Sequence, residues 1–421
     1  MSRSLAVILE GRLVGHVERT RAGALRLTYT EDAREYGLTP LSLSLPTDRL
    51  SITGDAVETY LRALLPDNER TLRSIARQAG ADPRDLVELL AAVGKDCAGA
   101  VQLCPPDEVE QTIARTGALV PVSDADLEQR LAELRMNEDA SWTMRGEHWS
   151  LGGTQNKFAL RREGDAWFEA QGAEATSHIL KPGIHRLTAQ ALVEHVTMRS
   201  AHACGVSVAA TQYAEFKTEP AIVVTRFDRR RDGADLVRLH QEDMCQALGR
   251  SEKYEEHGGP TAAEILRLLR ESAPTPRDAT ENVRRFVDGL LFNTLVAAPD
   301  AHARNYAVLL TGDRVQLAPL YDVATGLAYE AQGNRVQSMS IGGEFAVDRI
   351  GRTQWERFAE QNHLDGQAVI RRAREMADTI PGAMRQALDE VDDWDGTVGE
   401  LRRRLTPAVE AHMSHLSKAL A

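Results

Sequence analysis

Cysteine is scarce in this sequence: four in 421 residues, at Cys97, Cys104, Cys204 and Cys245. None forms a C-x-x-C pair or a Cys/His cluster at zinc spacing. That excludes a zinc ribbon or a disulfide framework and predicts buried thiols in a reducing compartment. An excess of positive charge is also missing, since 50 Lys and Arg face 62 Asp and Glu for a formal charge of −12. Such a chain does not bind nucleic acid mainly through its own field, and the basic runs at 226–231 and 402–404 read as solvated faces. Long hydrophobic runs are absent. The N-terminal apolar run covers only 5–9 before Glu10, too short for a signal peptide, and no stretch is long enough to span a membrane. The expectation is a cytosolic (cytoplasmic) protein. A Walker A loop is lacking too: Gly152-Gly153-Thr154-Gln155-Asn156-Lys157 has no Gly-Lys-Ser/Thr ending and precedes a strand, which excludes a P-loop NTPase. There is no internal repeat and no low-complexity linker.

What is present is ordinary for a globular protein, with 43% hydrophobic and 27% charged residues, and enough chain for two or three domains. Alternating apolar residues predict strands at 5–9, 13–17 and 25–29, the first two joined by a Glu10-Gly11 turn. Helical patterns follow at 56–65, 68–79 and 83–92, the last with Asp82 as its N-cap, then a strand ending at 103. A domain boundary is placed between 105 and 120. Ser123 to Asp126 caps a helix running to about 136. Residues 141–230 read as an antiparallel sheet with one helix at 188–204, the layout of a kinase-like small lobe. Beyond 239 the chain is mostly helical, at 241–248, 262–270, 281–296, 354–360, 366–376 and two more from 381 to 421, with a hairpin at 305–318. The expected fold is α+β: an N-terminal β-rich subdomain (1–110), a small lobe with a Gly-rich loop (111–230) and a mainly helical C-terminal lobe (231–421).

The chain is organised around Asp300-Ala-His302-Ala-Arg-Asn305, followed by an apolar hairpin that ends on Tyr321-Asp322. Loop Asp and Asn are ordinarily turn formers and caps. In this order, however, two carboxylates and an amide supply oxygen ligands for Mg²⁺ and a carboxylate to orient a hydroxyl, as protein kinases do. The glycines of 152–153 allow backbone N–H groups to approach phosphate oxygens. Ser150 beside them is a candidate phosphoacceptor. Lys181, closing a strand, matches a phosphate-contacting lysine, and Glu194 in the next helix is its candidate ion-pair partner. The strand 223–228 reads as a hinge offering backbone to an adenine edge, with Phe227 packed nearby. His302 is placed to orient the catalytic loop.

Together these stretches resemble the HipA family of serine/threonine kinases, the toxin half of HipBA-type toxin–antitoxin pairs. The resemblance rests on Leu64-Leu-Pro-Asp67, Gly153-Thr-Gln-Asn-Lys157, Arg226-Phe-Asp-Arg229, His240-Gln-Glu-Asp243, Lys253-Tyr-Glu255, Asp300-Ala-His-Ala-Arg-Asn305 and Leu320-Tyr-Asp-Val323 in family order. It implies Asp300 as catalytic base and Asn305 and Asp322 as holders of Mg²⁺. Lys181 and the loop residues Gly152, Gly153, Thr154, Gln155 and Lys157 would contact ATP phosphates. Thr225 and Phe227 would present hinge backbone to adenine, while Gln241, His302 and Tyr321 would line the nucleotide site. Ser150 would be a serine whose autophosphorylation disables ATP binding. The implied acceptor is a cytosolic protein, possibly an aminoacyl-tRNA synthetase. The implied partner is a HipB-like helix-turn-helix antitoxin, with operator DNA reached mainly through it. Two departures stand out: Ala297-Ala-Pro299 precedes Asp300 where a Gly-Asn pair is common, and Thr225 occupies a hinge position where an acid can occur. The same residues would also serve a small-molecule kinase or persist in a catalytically silent module that binds antitoxin and operator.

Overall fold

A computed structural model describes residues 4–34, 38–137, 140–144, 146–233, 235–330 and 335–421. Its first sheet has the order β4-β3-β2-β1-β5, built from β1 (Ser4–Leu9), β2 (Arg12–Arg19), β3 (Leu25–Tyr29), β4 (Ser51–Thr53) and β5 (Val101–Cys104). The β1–β2 hairpin turns on Glu10 and Gly11, both at positive φ (50° and 75°), the backbone twist a tight hairpin requires. Helices α1 (Asp55–Ala63), α2 (Glu69–Ala79) and α3 (Leu86–Val93) cover one face, and Leu5, Val7, Leu27, Tyr60, Leu89 and Val101 meet in a shared core. The N-cap of α3 is Asp85, which accepts from Val87 and Glu88 N–H. Asp82, expected in that role, instead accepts from Arg84 N–H in a turn three residues earlier. A short α4 (Val109–Ile113) leads out of this unit.

The second sheet is antiparallel in the order β10-β11-β9-β7-β8-β6. Its strands are β6 (Gly117–Val122), β7 (Phe158–Glu163), β8 (Ala166–Gly172), β9 (His178–Lys181), β10 (Thr211–Phe216) and β11 (Glu219–Thr225). Strand β6 carries no sequence signal because it is a mostly exposed edge with a proline in it, where no apolar alternation is demanded. Helix α5 (Asp124–Met136) starts at a capping box between Ser123 and Asp126. It packs Leu127, Leu131 and Leu134 with Trp142, Trp149 and Phe158. Helix α6 (Gln190–Ala203) follows β9, and its buried Leu192, Val196 and Met198 belong to the large core of the helical lobe.

Between the lobes lies a ribbon of β12 (Arg229–Asp232) and β13 (Asp235–Arg238). Then comes a three-stranded sheet of β14 (His240–Asp243), β15 (Ala307–Thr311) and β16 (Arg314–Leu317) in that order. Residues 241–243, expected as helix, are therefore strand. Asp243 ends it by capping the short α7 (Met244–Leu248) through a box with Gln246. The remaining helices are α8 (Ala262–Glu271), α9 (Pro276–Leu295), α10 (Arg352–Gln361), α11 (Gly366–Asp389) and α12 (Thr397–Ala419), with a hairpin of β17 (Val336–Ile341) and β18 (Glu344–Ala346) before α10. Helix α9 starts a turn before the expected 281 because Thr275 caps it and Pro276 fills its first position. Pro381 lies inside α11 rather than starting a new helix. The apolar stripe through Ile380, Met384 and Leu388 is buried against α12, and that packing overrides the proline. No described helix is long and apolar enough to cross a membrane.

A buried ion cluster joins the first unit to the inter-lobe strand. Asp96 accepts from Arg238 Nε (2.7 Å), an Arg229 guanidinium nitrogen (2.8 Å) and Thr176 N–H and Oγ1. Arg226 pairs with Asp228 at 2.7 Å, and Asp228 accepts the Gly99 N–H at 2.7 Å. Gly99, at φ 80°, brings its backbone so close to β14 that a Cβ would lie 2.7 Å from Gln241 N. Only glycine fits there.

Candidate active site

The two lobes and the N-terminal unit enclose a cleft of about 350 Å³. On its roof, the chain after Trp149 runs through Gly152, Gly153, Thr154 and Gln155, all of which line the cleft. This loop is fastened to the N-terminal unit, where Gly153 O accepts the Asp67 N–H at 2.9 Å. Lys157, at the start of β7, folds back beneath the loop and donates to Gly152 O at 3.0 Å. Burial and the nearby Lys181 push its ammonium down to about 8.

Lys181 ends β9 with its side chain in the cleft. Its Nζ lies 2.8 Å from Glu194 Oε1 and 2.6 Å from Asp322 Oδ1. Burial works against the Lys181 charge, but the two carboxylates outweigh it and hold the ammonium above its usual range. Asp322 is held below the usual carboxylate range: enclosure opposes this, and Lys181 with Lys157 overcomes it. Glu194 is 1% exposed at its side chain, and burial raises it in spite of Lys181. Asp322 adopts φ 59°, a left-handed conformation that non-glycine residues keep where the surroundings enforce it.

On the floor, Asp300 is 60% exposed at its side chain and stands at the cleft mouth. Tyr254 Oη donates to Asp300 Oδ1 at 2.6 Å, and Asn305 Nδ2 donates to Asp300 O at 2.6 Å, closing the loop on itself. His302 Nε2 lies 3.7 Å from Asp300 Oδ1, and burial lowers the imidazole below its usual range. Ala297, the first residue of the Ala297-Ala-Pro299 departure, has φ 51°, a backbone conformation that favours glycine.

At the inner end, Phe227 and Tyr321 face each other with ring centroids 5.5 Å apart, and Tyr321 Oη donates to Arg304 O at 2.6 Å. Thr225 lines the cleft, but its N–H is given to Ala210 O at 2.9 Å. Gln241 reaches the cleft from strand β14, not from a helix.

Thus the structure brings Asp300, Asn305, Asp322 and Lys181 to one cleft with Lys157, Gln241, His302 and Tyr321. Ser150 is the exception. It is 3% exposed and donates its hydroxyl to Leu64 O at 2.6 Å, behind the loop and away from the cleft. Sequence reasoning gave no role to Asp67, Lys253 or Tyr254, although each lay in a stretch that carried the resemblance. Their contacts span sequence separations of 46 to 237 residues, which no local pattern reports.

The HipA N-terminal domain matches residues 5–104, and the HipA-like C-terminal domain matches residues 149–384. The chain belongs to the HipA family. It is 32% identical over 398 residues to "Putative kinase Y4mE" of Sinorhizobium fredii, covering 93% of each chain. It is 29% identical over 390 residues to the serine/threonine-protein kinase toxin HipA of Shewanella oneidensis, covering 87% of this chain and 85% of that one. The structure superposes on the HipA chain type solved in the Shewanella oneidensis MR-1 complex of HipA, HipB and operator DNA with a TM-score of 0.81. Identity there is 26%, and 99% of each chain is covered. The α+β, kinase-like two-lobe fold of this HipA-family chain agrees with the sequence expectation.

Proposed function

We propose that this HipA-family chain is an ATP-dependent serine/threonine protein kinase of the toxin type. The observation that carries the reading is the Lys181–Glu194–Asp322 cluster facing Asp300 and Asn305 across one cleft. The lining suits a nucleotide. Gln241 Oε1 and His302 Nδ1 are buried without a described protein partner, and glycine backbone roofs the phosphate end. The described residues hold no ready-made cluster of His, Cys, Asp and Glu for a metal. Mg²⁺ suits such a site, since it is bound by one or two protein groups together with substrate phosphates.

In this reading Lys181 holds the phosphates, and Glu194 keeps Lys181 extended into the cleft. Asn305 and Asp322 would hold Mg²⁺, which would neutralise charge developing on the phosphate oxygens. Asp300 accepts the hydroxyl proton of the incoming serine or threonine, with Tyr254 fixing the carboxylate through one oxygen and leaving the other for the substrate. Phe227 and Tyr321 flank the base, and Gln241 and His302 supply polar groups beside it.

The exposure of Asp300 at the mouth supports a protein acceptor over an enclosed small molecule. The acceptor we favour is an aminoacyl-tRNA synthetase, whose modification would stall translation. A HipB-like helix-turn-helix antitoxin is the proposed partner, because HipA of Shewanella oneidensis has been solved with HipB and its operator DNA. The net charge of −12 fits DNA contact made mainly through that antitoxin. Autophosphorylation at Ser150 would require the loop to leave Leu64 and Asp67, after which a phosphate there would keep the loop from closing on ATP. The test is phosphopeptide mapping after incubation with Mg·ATP and a panel of purified synthetases. Phosphoserine or phosphothreonine on one of them supports the reading. Phosphate found only on small hydroxyl compounds replaces it with the small-molecule reading.

A further inference from the structure

The catalytic loop of this chain has a gap in its charges. Between Asp300 and Asn305 stand His302, a buried imidazole whose Nε2 lies 3.7 Å from Asp300 Oδ1, and Arg304. The Arg304 guanidinium is held, with one nitrogen 2.5 Å from Asp67 Oδ1 and another 3.1 Å from Ser251 O. The loop's own arginine is therefore committed to Asp67 and Ser251, not to the space beside Asp300. Lys157 is occupied with Gly152 O on the roof, and Lys181 with Glu194 and Asp322 at the inner end.

One further lysine lines the cleft on the Asp300 side. Lys253 O accepts the Ala303 N–H at 3.3 Å, which fixes its backbone against the catalytic loop. Its neighbour Tyr254 holds Asp300. Among the described residues, the Lys253 ammonium has one carboxylate partner, Asp67 Oδ2, at 3.3 Å. Asp67 belongs to the N-terminal unit, and its backbone N–H holds the Gly-rich loop at Gly153 O. Arg304 and Lys253 together hold the Asp67 carboxyl below its usual range against the effect of burial. Asp67 therefore touches the roof through its backbone and the floor through its side chain.

We propose that Lys253 is a further catalytic residue, the cation that meets the phosphoryl group during transfer, and that Asp67 is the positioning residue that presents it. The inference rests on the kinase reading given above. The longer Asp67 contact is the one to Lys253, so Lys253 can turn to an incoming phosphate while Arg304 retains Asp67. Phosphoryl transfer leaves little for a protein to do beyond placing charge around the moving group, and a lysine on a flexible stem suits a moving target. The N-terminal unit thereby becomes part of the active site.

The test measures ADP release from Mg·ATP as the γ-phosphoryl group passes to a hydroxyl of the purified synthetase panel, alongside ATP affinity by calorimetry and the thermal midpoint. With K253M, ADP release falls by about 100-fold, the effect of removing one preorganised charge donor, while ATP affinity changes by less than about threefold. K253R restores part of the rate. D67N keeps the backbone bond to Gly153 and lowers release by about tenfold in the same pattern. Wild-type turnover in K253M, or a loss of turnover matched by an equal loss of ATP affinity, overturns the proposal. So does a loss that merely follows a lowered melting midpoint and is not relieved by K253R. A wild type that binds ATP yet releases no ADP with any of these acceptors overturns the synthetase-kinase reading itself, and the proposal falls with it.

Discussion

Lys181 Nζ stands 2.6 Å from Asp322 Oδ1, tying the last residue of β9 to the loop that follows β16. With Glu194 at 2.8 Å, the lysine sits between a nearly inaccessible carboxylate and one open to the cleft. Lys181→Met should reduce ATP affinity by at least about tenfold and strand Glu194. Breaking a buried pair from one side costs about 3–5 kcal/mol. Because Glu194 is already raised by burial, it escapes that cost by taking a proton. The variant should therefore be destabilised more at pH 8 than at pH 5, as read by urea unfolding at both values. Equal destabilisation at the two pH values would show that Glu194 does not titrate there.

Glu242 gives a second pH dependence. It is fully buried on β14, accepts the Leu43 N–H at 2.8 Å, and burial pushes its carboxyl up from 4.5 to about 8. Its folded form retains a proton that the unfolded chain has lost between those values, so its contribution to stability is complete below 4.5 and drains away as pH rises to 8. Glu242→Gln should flatten the stability profile across that window. An unchanged slope would place the titration elsewhere.

Asp96 binds three buried arginines, directly or through the cluster, and Thr176. Removing its charge with Asp96→Asn leaves an excess of buried guanidinium and should cost about 3–5 kcal/mol. A denaturation midpoint within error of wild type would contradict this account of how the N-terminal unit is fastened.

Ala297 adopts φ 51° just before the Asp300–Asn305 loop. Replacing it with glycine removes left-handed strain and adds chain entropy to the unfolded state, for a net gain of up to about 1 kcal/mol. A modest rise in melting temperature without loss of ATP affinity is the expected result.

Local patterns made the Ser123 cap, the hairpins and the spacing of Asp300 and Asn305 legible in the sequence, because each is set within a few residues, whereas the α3 cap fell on Asp85 rather than Asp82. The Glu194 partnership with Lys181 was also visible, as strand end to helix. Three kinds of feature were not. Gln241 lies in a strand because it pairs with Leu309, a partner far along the chain. Pro381 continues a helix because the stripe around it is buried against α12. Ser150 is concealed by Leu64 of another unit, and Asp67 reaches Arg304 across 237 residues. Each depends on tertiary contacts that composition and periodicity do not record.

The most direct test of the central claim is intact mass after incubation with Mg·ATP, for wild type and for Asp300→Ala, with calorimetry confirming that both bind ATP. The account predicts added phosphate on wild type alone, mapping to Ser150 once its loop has left Leu64. Equal phosphate on both proteins, or failure of the unphosphorylated wild type to bind ATP, would contradict it.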